Sequence, residues 1–132
     1  MTIKNIKREL YAIDLFCGVG GLTNGLISEN IKVILGIDID VSCKFAYEKN
    51  NKNAKFLSEN ITNINGKEVK TYYPKDTISI LAGCAPCQPF STYSYKNKTE
   101  KWKLLYEFSR LIEEVQPDIV TCLLYTSDAA DE

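Results

Sequence analysis

Short apolar runs alternate along this chain with stretches in which apolar residues recur every three or four positions. Residues 11–16 (YAIDLF) form an apolar run broken by one acid and closed by the glycine-rich CGVGG, the pattern of a buried strand entering a tight turn. Leu22, Leu26 and Ile27 then fall at helical spacing as far as Glu29 and Asn30, which predicts a first helix. Residues 31–37 (IKVILGI) predict a second strand ending at Asp38. Asp40 can cap a following helix with Val41, Phe45 and Ala46 on its apolar face and Asn50-Asn51 as its stop. Residues 54–57 predict a weak third strand, and residues 77–82 (TISILA) a fourth, closed by Gly83. Leu104, Leu105, Phe108, Leu111, Ile112 and Val115 predict a long amphipathic helix ended by Pro117, with a fifth strand over 118–122.

Strands alternating with helices at this spacing argue an α/β domain with a parallel sheet and right-handed crossovers. In such sheets ligands sit beyond the carboxyl ends of the strands, near the point where the strand order reverses. The glycine turn, Asp38, Asn60 and residues 83–91 each come just after a predicted strand, so they should converge on one edge.

Gly18, Gly20 and Gly21 let the backbone approach a ligand where a Cβ would clash. Asp38, twenty residues after Gly18, can accept both hydroxyls of a ribose from the end of the next strand. The third glycine of the dinucleotide fingerprint is replaced by Thr23, which disfavours a pyrophosphate. The implied ligand is a nucleoside without phosphates, S-adenosylmethionine being the leading candidate; the bland alternative is a strand-to-helix turn that binds nothing. The segment 83–91 (GCAPCQPFS) admits three readings: a redox pair of Cys84 and Cys87, half of a zinc site, or Cys87 alone as a nucleophile. Pro89 disfavours the immediate helix that a thioredoxin-like motif needs, and Cys84 reads as a small apolar core residue.

Composition narrows these choices. The 132 residues are 45% hydrophobic and 25% charged, as in a soluble globular protein, and fit one ordinary domain. No stretch approaches a membrane span, and residues 1–10 lack the apolar core of a secretion signal. The chain contains no histidine, which removes imidazole catalysis and histidine metal sites and leaves no complete zinc ligand set. Five cysteines without a secretion signal favour free thiols in a reducing compartment. With 16 Lys and Arg against 17 Asp and Glu, no strongly basic surface is expected.

DLFCGVGGL at residues 14–22 together with APCQPFS at 85–91, in this order, resembles the DNA cytosine-5 methyltransferase family. The resemblance runs from about Tyr11 to Cys122 and covers the N-terminal part of that family's catalytic domain. It implies a Rossmann-like S-adenosylmethionine-dependent methyltransferase fold, incomplete here, with about five mostly parallel strands and flanking helices. Under it GIDID (36–40) places Asp38 on the cofactor ribose beside Ile39, and ENITNIN (59–65) places Asn60, with Ile61, at the adenine amino group. The family has an Asp at that position; the Asn60 amide oxygen can still accept a hydrogen bond, so a weakened contact is expected. Phe16 would pack on the adenine, Gly18, Val19, Gly20 and Gly21 would surround the methionine part, and Gly83, Pro86 and Leu104 would border the cofactor. Cys87 would be the nucleophile, with Gln88 and Ser91 towards the DNA and no metal.

The family strand matching residues 118–122 ends in Glu-Asn-Val, whereas this chain runs into CLLYTSDAADE. Residues 122–132 resemble the translation of a sequencing adaptor, so 1–121 are read as the authentic part of a truncated, inactive piece; setting the tail aside leaves a slight excess of basic residues. The full-length protein is expected to be a monomeric, cytoplasmic bacterial enzyme acting on double-stranded DNA, within a restriction-modification system, with no membrane partner. A thiol-disulfide oxidoreductase using Cys84 and Cys87 is the alternative.

Overall fold

The computed structural model describes residues 7–86 and 95–123, with backbone alone for 95–101. Strands β1 (Leu10–Leu15), β2 (Lys32–Asp38), β3 (Lys55–Ser58), β4 (Ile78–Gly83) and β5 (Ile119–Cys122) form one sheet in the order β3-β2-β1-β4-β5, every pair parallel. Parallel neighbours cannot be joined by a hairpin, so the chain must cross back between strands. Helices α1 (Gly21–Ser28), α2 (Lys44–Asn50), α3 (Gly66–Lys70) and α4 (Tyr95–Val115) lie in these crossovers. The sheet order reverses between β1 and β4, where open α/β sheets place their ligands.

The apolar run 11–16 works as a strand because both of its faces are covered, as parallel strands require. Ile13 and Leu15 face one layer, and with Leu35, Ile37 and Leu81 they pack against Phe108, Leu111 and Val115 of α4 and Val69 of α3. Ala12 faces the other layer with Val33, Ile80, Ala82 and Tyr47 of α2. Each fully buried Leu or Ile here contributes about 1.5–3 kcal/mol, so the centre of the sheet is the most strongly held part of the domain.

The five predicted strands and their parallel pairing agree with the structure. Three local readings differ. First, α2 does not bury Val41 and Phe45, which are 65% and 75% exposed; its buried residue is Tyr47. Asp40 instead caps a separate 3-10 turn, Val41–Cys43, by accepting from Ser42 N at 3.0 Å, and the helix proper begins at Lys44 in a new phase. Second, α4 begins at Tyr95, well before Leu104, because its first turns carry no apolar repeat. Third, α3 shows no period in the sequence, since Val69 is its one buried apolar side chain; Asn65 starts it by accepting from Lys67 N at 2.9 Å.

Candidate functional site

The carboxyl ends of β1, β2, β3 and β4 are neighbours in the sheet, so the segments that leave them share one edge. From β1 the chain turns through Phe16 (φ 55°), Gly18 (φ 53°) and Gly20 (φ 94°) into α1. A Cβ at Gly20 would lie 2.6 Å from Asn51 Nδ2 and 2.8 Å from Tyr47 Cδ2, both on buried side chains, so only glycine fits there. The turn is fastened to β2 by Cys17 N donating to Ile37 O at 3.1 Å and by Gly18 N donating to Asp38 Oδ2 at 2.8 Å. Asp38 Oδ1 accepts from Asp40 N at 2.9 Å. Each carboxylate oxygen keeps a lone pair for a further donor, so the half-buried Asp38 presents two acceptors beside the glycine turn.

Beneath the turn lies a buried polar chain that the sequence pattern does not announce. Thr23 Oγ1 donates to Asp14 Oδ2 at 2.7 Å and lies 2.9 Å from the Tyr47 hydroxyl; all three residues are fully buried. Thr23, in the position of the missing third glycine, therefore turns its side chain into the protein. The one signal was an acid inside an apolar run, Asp14 in YAIDLF. Asp14 Oδ1 and Asn51 Oδ1 are buried without a hydrogen-bond partner among the described residues.

Burial pushes the Asp14 carboxyl up to about 6, with the Asp38 charge adding and the Thr23 hydrogen bonds opposing. The folded chain therefore holds this proton up to about pH 6, whereas the unfolded chain releases it near 3.8. Folding takes up a proton within that window, so this group's contribution to stability declines as pH rises through it, by roughly 3 kcal/mol in all. Asp14→Asn keeps an acceptor for Thr23 but does not titrate, and it is expected to remove that part of the decline. Urea midpoints of both proteins from pH 4 to 7 read the difference; parallel curves would show that Asp14 does not hold the proton.

On the β3 side, Glu59 N donates to Asp38 O at 3.0 Å, and Asn60 opens the 3-10 turn Ile61–Asn63. Asn60 Oδ1 accepts from Thr62 N at 3.0 Å and from Thr62 Oγ1 at 2.9 Å. The amide oxygen expected to be open to a ligand is thus already engaged. The Ile61 side chain is buried in the core, so Ile61 can offer a ligand only its backbone. A second unpredicted group holds this loop: Arg110 of α4 donates from Nη1 to Ile64 O and from Nη2 to Ile61 O, both at 3.0 Å. Glu107 and Glu114 orient its guanidinium, and Glu114 Oε2 also accepts from Gly66 N at 2.7 Å. A forked guanidinium suits two carbonyls and two carboxylates at once, which a lysine could not serve. Its signal was slight, one arginine among the polar positions of an amphipathic helix.

At the switch point, Gly83 ends β4 and Cys84 N donates to Leu15 O at 3.4 Å, tying the exit of β4 to the entrance of the glycine turn. Cys84 is half-buried, not a core residue; Ala85 is buried and Pro86 exposed. Leu104 is half-buried against the α4 layer, Phe16 likewise, while Val19 and Ile39 are exposed at the edge. Cys87, Gln88 and Ser91 lie outside the described residues. Among the described residues there is no cluster of metal-ligating side chains, and no helix is long and apolar enough to cross a membrane.

Residues 10–122 match the family profile of C-5 cytosine-specific DNA methylases. The chain is 56% identical over 110 residues to the Type II methylase M.HgiDII of Herpetosiphon aurantiacus, covering 83% of this chain and 31% of that protein. It is 31% identical over 106 residues to the Type II methyltransferase M.DdeI of Desulfomicrobium norvegicum, covering 80% and 25% respectively. The chain therefore spans less than a third of the length of these relatives. The crystal structure of the S. pombe Dnmt2 methyltransferase superposes with a TM-score of 0.64 at 19% identity, covering 95% of this chain and 36% of that one, which shows a shared fold.

Proposed function

The chain belongs to the C-5 cytosine-specific DNA methylase family and has its Rossmann-like fold, and on that premise we propose that it carries the cofactor site and the nucleophile of an enzyme that methylates C5 of cytosine in double-stranded DNA. The observation that supports this reading is the stitch between Cys84 N and Leu15 O, which holds the end of β4, three residues before Cys87 in the sequence, beside the glycine turn. A bacterial restriction-modification setting is inferred from the relatives, which are named as Type II enzymes.

S-adenosylmethionine fits the residues present: Asp38 keeps two acceptor positions, and in the glycine turn beside it a Cβ at Gly18 or Gly21 would meet nothing within 4 Å, so the backbone there borders open space. When bound, it supplies a methyl group on a sulfonium. Asp38 would accept the ribose hydroxyls, Phe16 would pack on the adenine, and Gly18, Val19, Gly20 and Gly21 would surround the methionine part. Cytosine C5 is a poor nucleophile, so the reaction needs the Cys87 thiolate to add to C6 of a base swung out of the duplex. That addition breaks the 5,6 double bond and makes C5 enamine-like. Once C5 has taken the methyl group and the sulfonium has become a neutral thioether, C5 loses its proton to a base and the thiolate is expelled, restoring the ring.

The test uses the complete gene product with methyl-labelled S-adenosylmethionine and duplex DNA. Label is expected in 5-methylcytosine, and its absence there would refute the reaction. Asp38→Ala is expected to weaken S-adenosylhomocysteine by roughly 100-fold or more in calorimetry, as two hydrogen bonds to a charged acceptor, each worth about 1.5–3 kcal/mol, are lost. Unchanged affinity would place the ribose elsewhere.

A further inference from the structure

The half-buried Asn60 sits where the base of a nucleoside held by Asp38 must go. The glycine turn of β1 occupies one side of Asp38, and Ser58–Asn60 leaves β3 on the other, joined to it by the bond from Glu59 N to Asp38 O. A ribose on Asp38 therefore directs its base over the end of β3.

The hydrogen bonds within this loop decide what a base would meet. Asn60 Oδ1 accepts from both the backbone N–H and the hydroxyl of Thr62, so its two lone pairs are used. Asn60 Nδ2 makes no hydrogen bond among the described residues and has two protons to donate. The carbonyls nearest to it already receive donors. Asn60 O receives Asn63 N, Ile61 O receives Ile64 N and Arg110 Nη2, and Ile64 O receives Arg110 Nη1. Glu59 Oε1 is taken by Asn60 N and Asn63 Nδ2. An aspartate in the same place could cap Thr62 with one oxygen and keep the other as an acceptor. Asparagine keeps the cap and exposes a donor.

We propose that Asn60 reads the purine as a hydrogen-bond donor, so that the site discriminates little between a 6-amino and a 6-oxo purine. Adenine offers this donor its N1, and hypoxanthine offers O6. The inference rests on the nucleoside reading of the site and concerns which edge of the base is read.

The test compares S-adenosylhomocysteine with S-inosylhomocysteine on the complete gene product by calorimetry. The wild type is expected to bind the two within about 5-fold of each other. Asn60→Asp preserves the Thr62 cap and is expected to raise the preference for the adenosyl compound by ~10-fold or more, because the new oxygen accepts from the amino group and repels O6. Asn60→Ala loses both cap and donor, and is expected to weaken both compounds while leaving their ratio near the wild-type value. A merely structural role for Asn60 would move both affinities together in every variant. A wild type that already favours the adenosyl compound strongly, with Asn60→Asp adding nothing, would overturn the donor assignment while leaving the nucleoside site intact. If neither thioether bound the wild type, the nucleoside reading would fall and this inference with it.

Discussion

Cys87→Ser in the complete gene product is expected to abolish methyl transfer, lowering kcat by at least ~10⁴-fold, and to leave no denaturant-resistant complex with duplex DNA containing 5-fluorocytosine. Fluorine at C5 cannot leave as a proton does, so a thiolate that has added to C6 stays attached and the complex accumulates. A serine hydroxyl ionises far less readily than a thiol, so it cannot add to C6 in the same way. Cys84→Ser is expected to keep both activity and trapping, because addition to C6 consumes one sulfur. A thiol-disulfide exchange would need both cysteines and would be lost in either variant. Trapping by the Cys87→Ser protein would show that another group attacks the base.

Strands β1, β2 and β4 were legible because each is an apolar run closed by Gly or Asp, and the parallel pairing came from the alternation of strands with helices. The edge on which Asp38, Asn60 and the glycine turn meet was legible for the same reason, since it depends only on the residues next after each strand. Contacts between residues distant in sequence were not legible. Asp14, Thr23 and Tyr47 come from β1, α1 and α2, and no local period announces that a threonine hydroxyl will join a carboxylate to a phenol. Arg110 reaches back to Ile61 and Ile64 across the α3 crossover, where its pattern on α4 gives only a polar position. Phe45 shows the converse error, an apolar residue at a plausible spacing left 75% exposed because a 3-10 turn had shifted the helix phase. Asn60 lies between the two cases. Its place was readable, but the direction of its amide was set by Thr62, two residues on.

Gly36→Val is expected to destabilise the fold by roughly 3–5 kcal/mol, lowering the thermal midpoint by more than about 10 °C. Gly36 lies in β2 beside β1, and any Cβ there would fall on Cζ and the hydroxyl of Tyr47. That ring cannot swing aside. It is 0% exposed, tilted against Phe56 at 5.6 Å between centroids, and held by its hydroxyl at Thr23. Overpacking of this kind costs about 1–3 kcal/mol, and displacing Tyr47 would strand the Thr23–Asp14 pair in a dry interior for about 1–3 kcal/mol more. Valine's preference for strands works in the other direction but spans at most ~1 kcal/mol, so the steric effect decides the sign. A second substitution separates the contact from any general intolerance of β2. Tyr47→Ala alone is expected to cost about 3–5 kcal/mol, yet in the double variant the space it leaves receives the valine. The pair should therefore be at least ~1.5 kcal/mol more stable than the sum of the single effects requires. Simple additivity in denaturant titrations would mean that Tyr47 is not what excludes a side chain at position 36. Because β2 delivers Asp38 two residues later, the same collision would also displace the ribose acceptor, so ligand affinity should fall and recover together with stability.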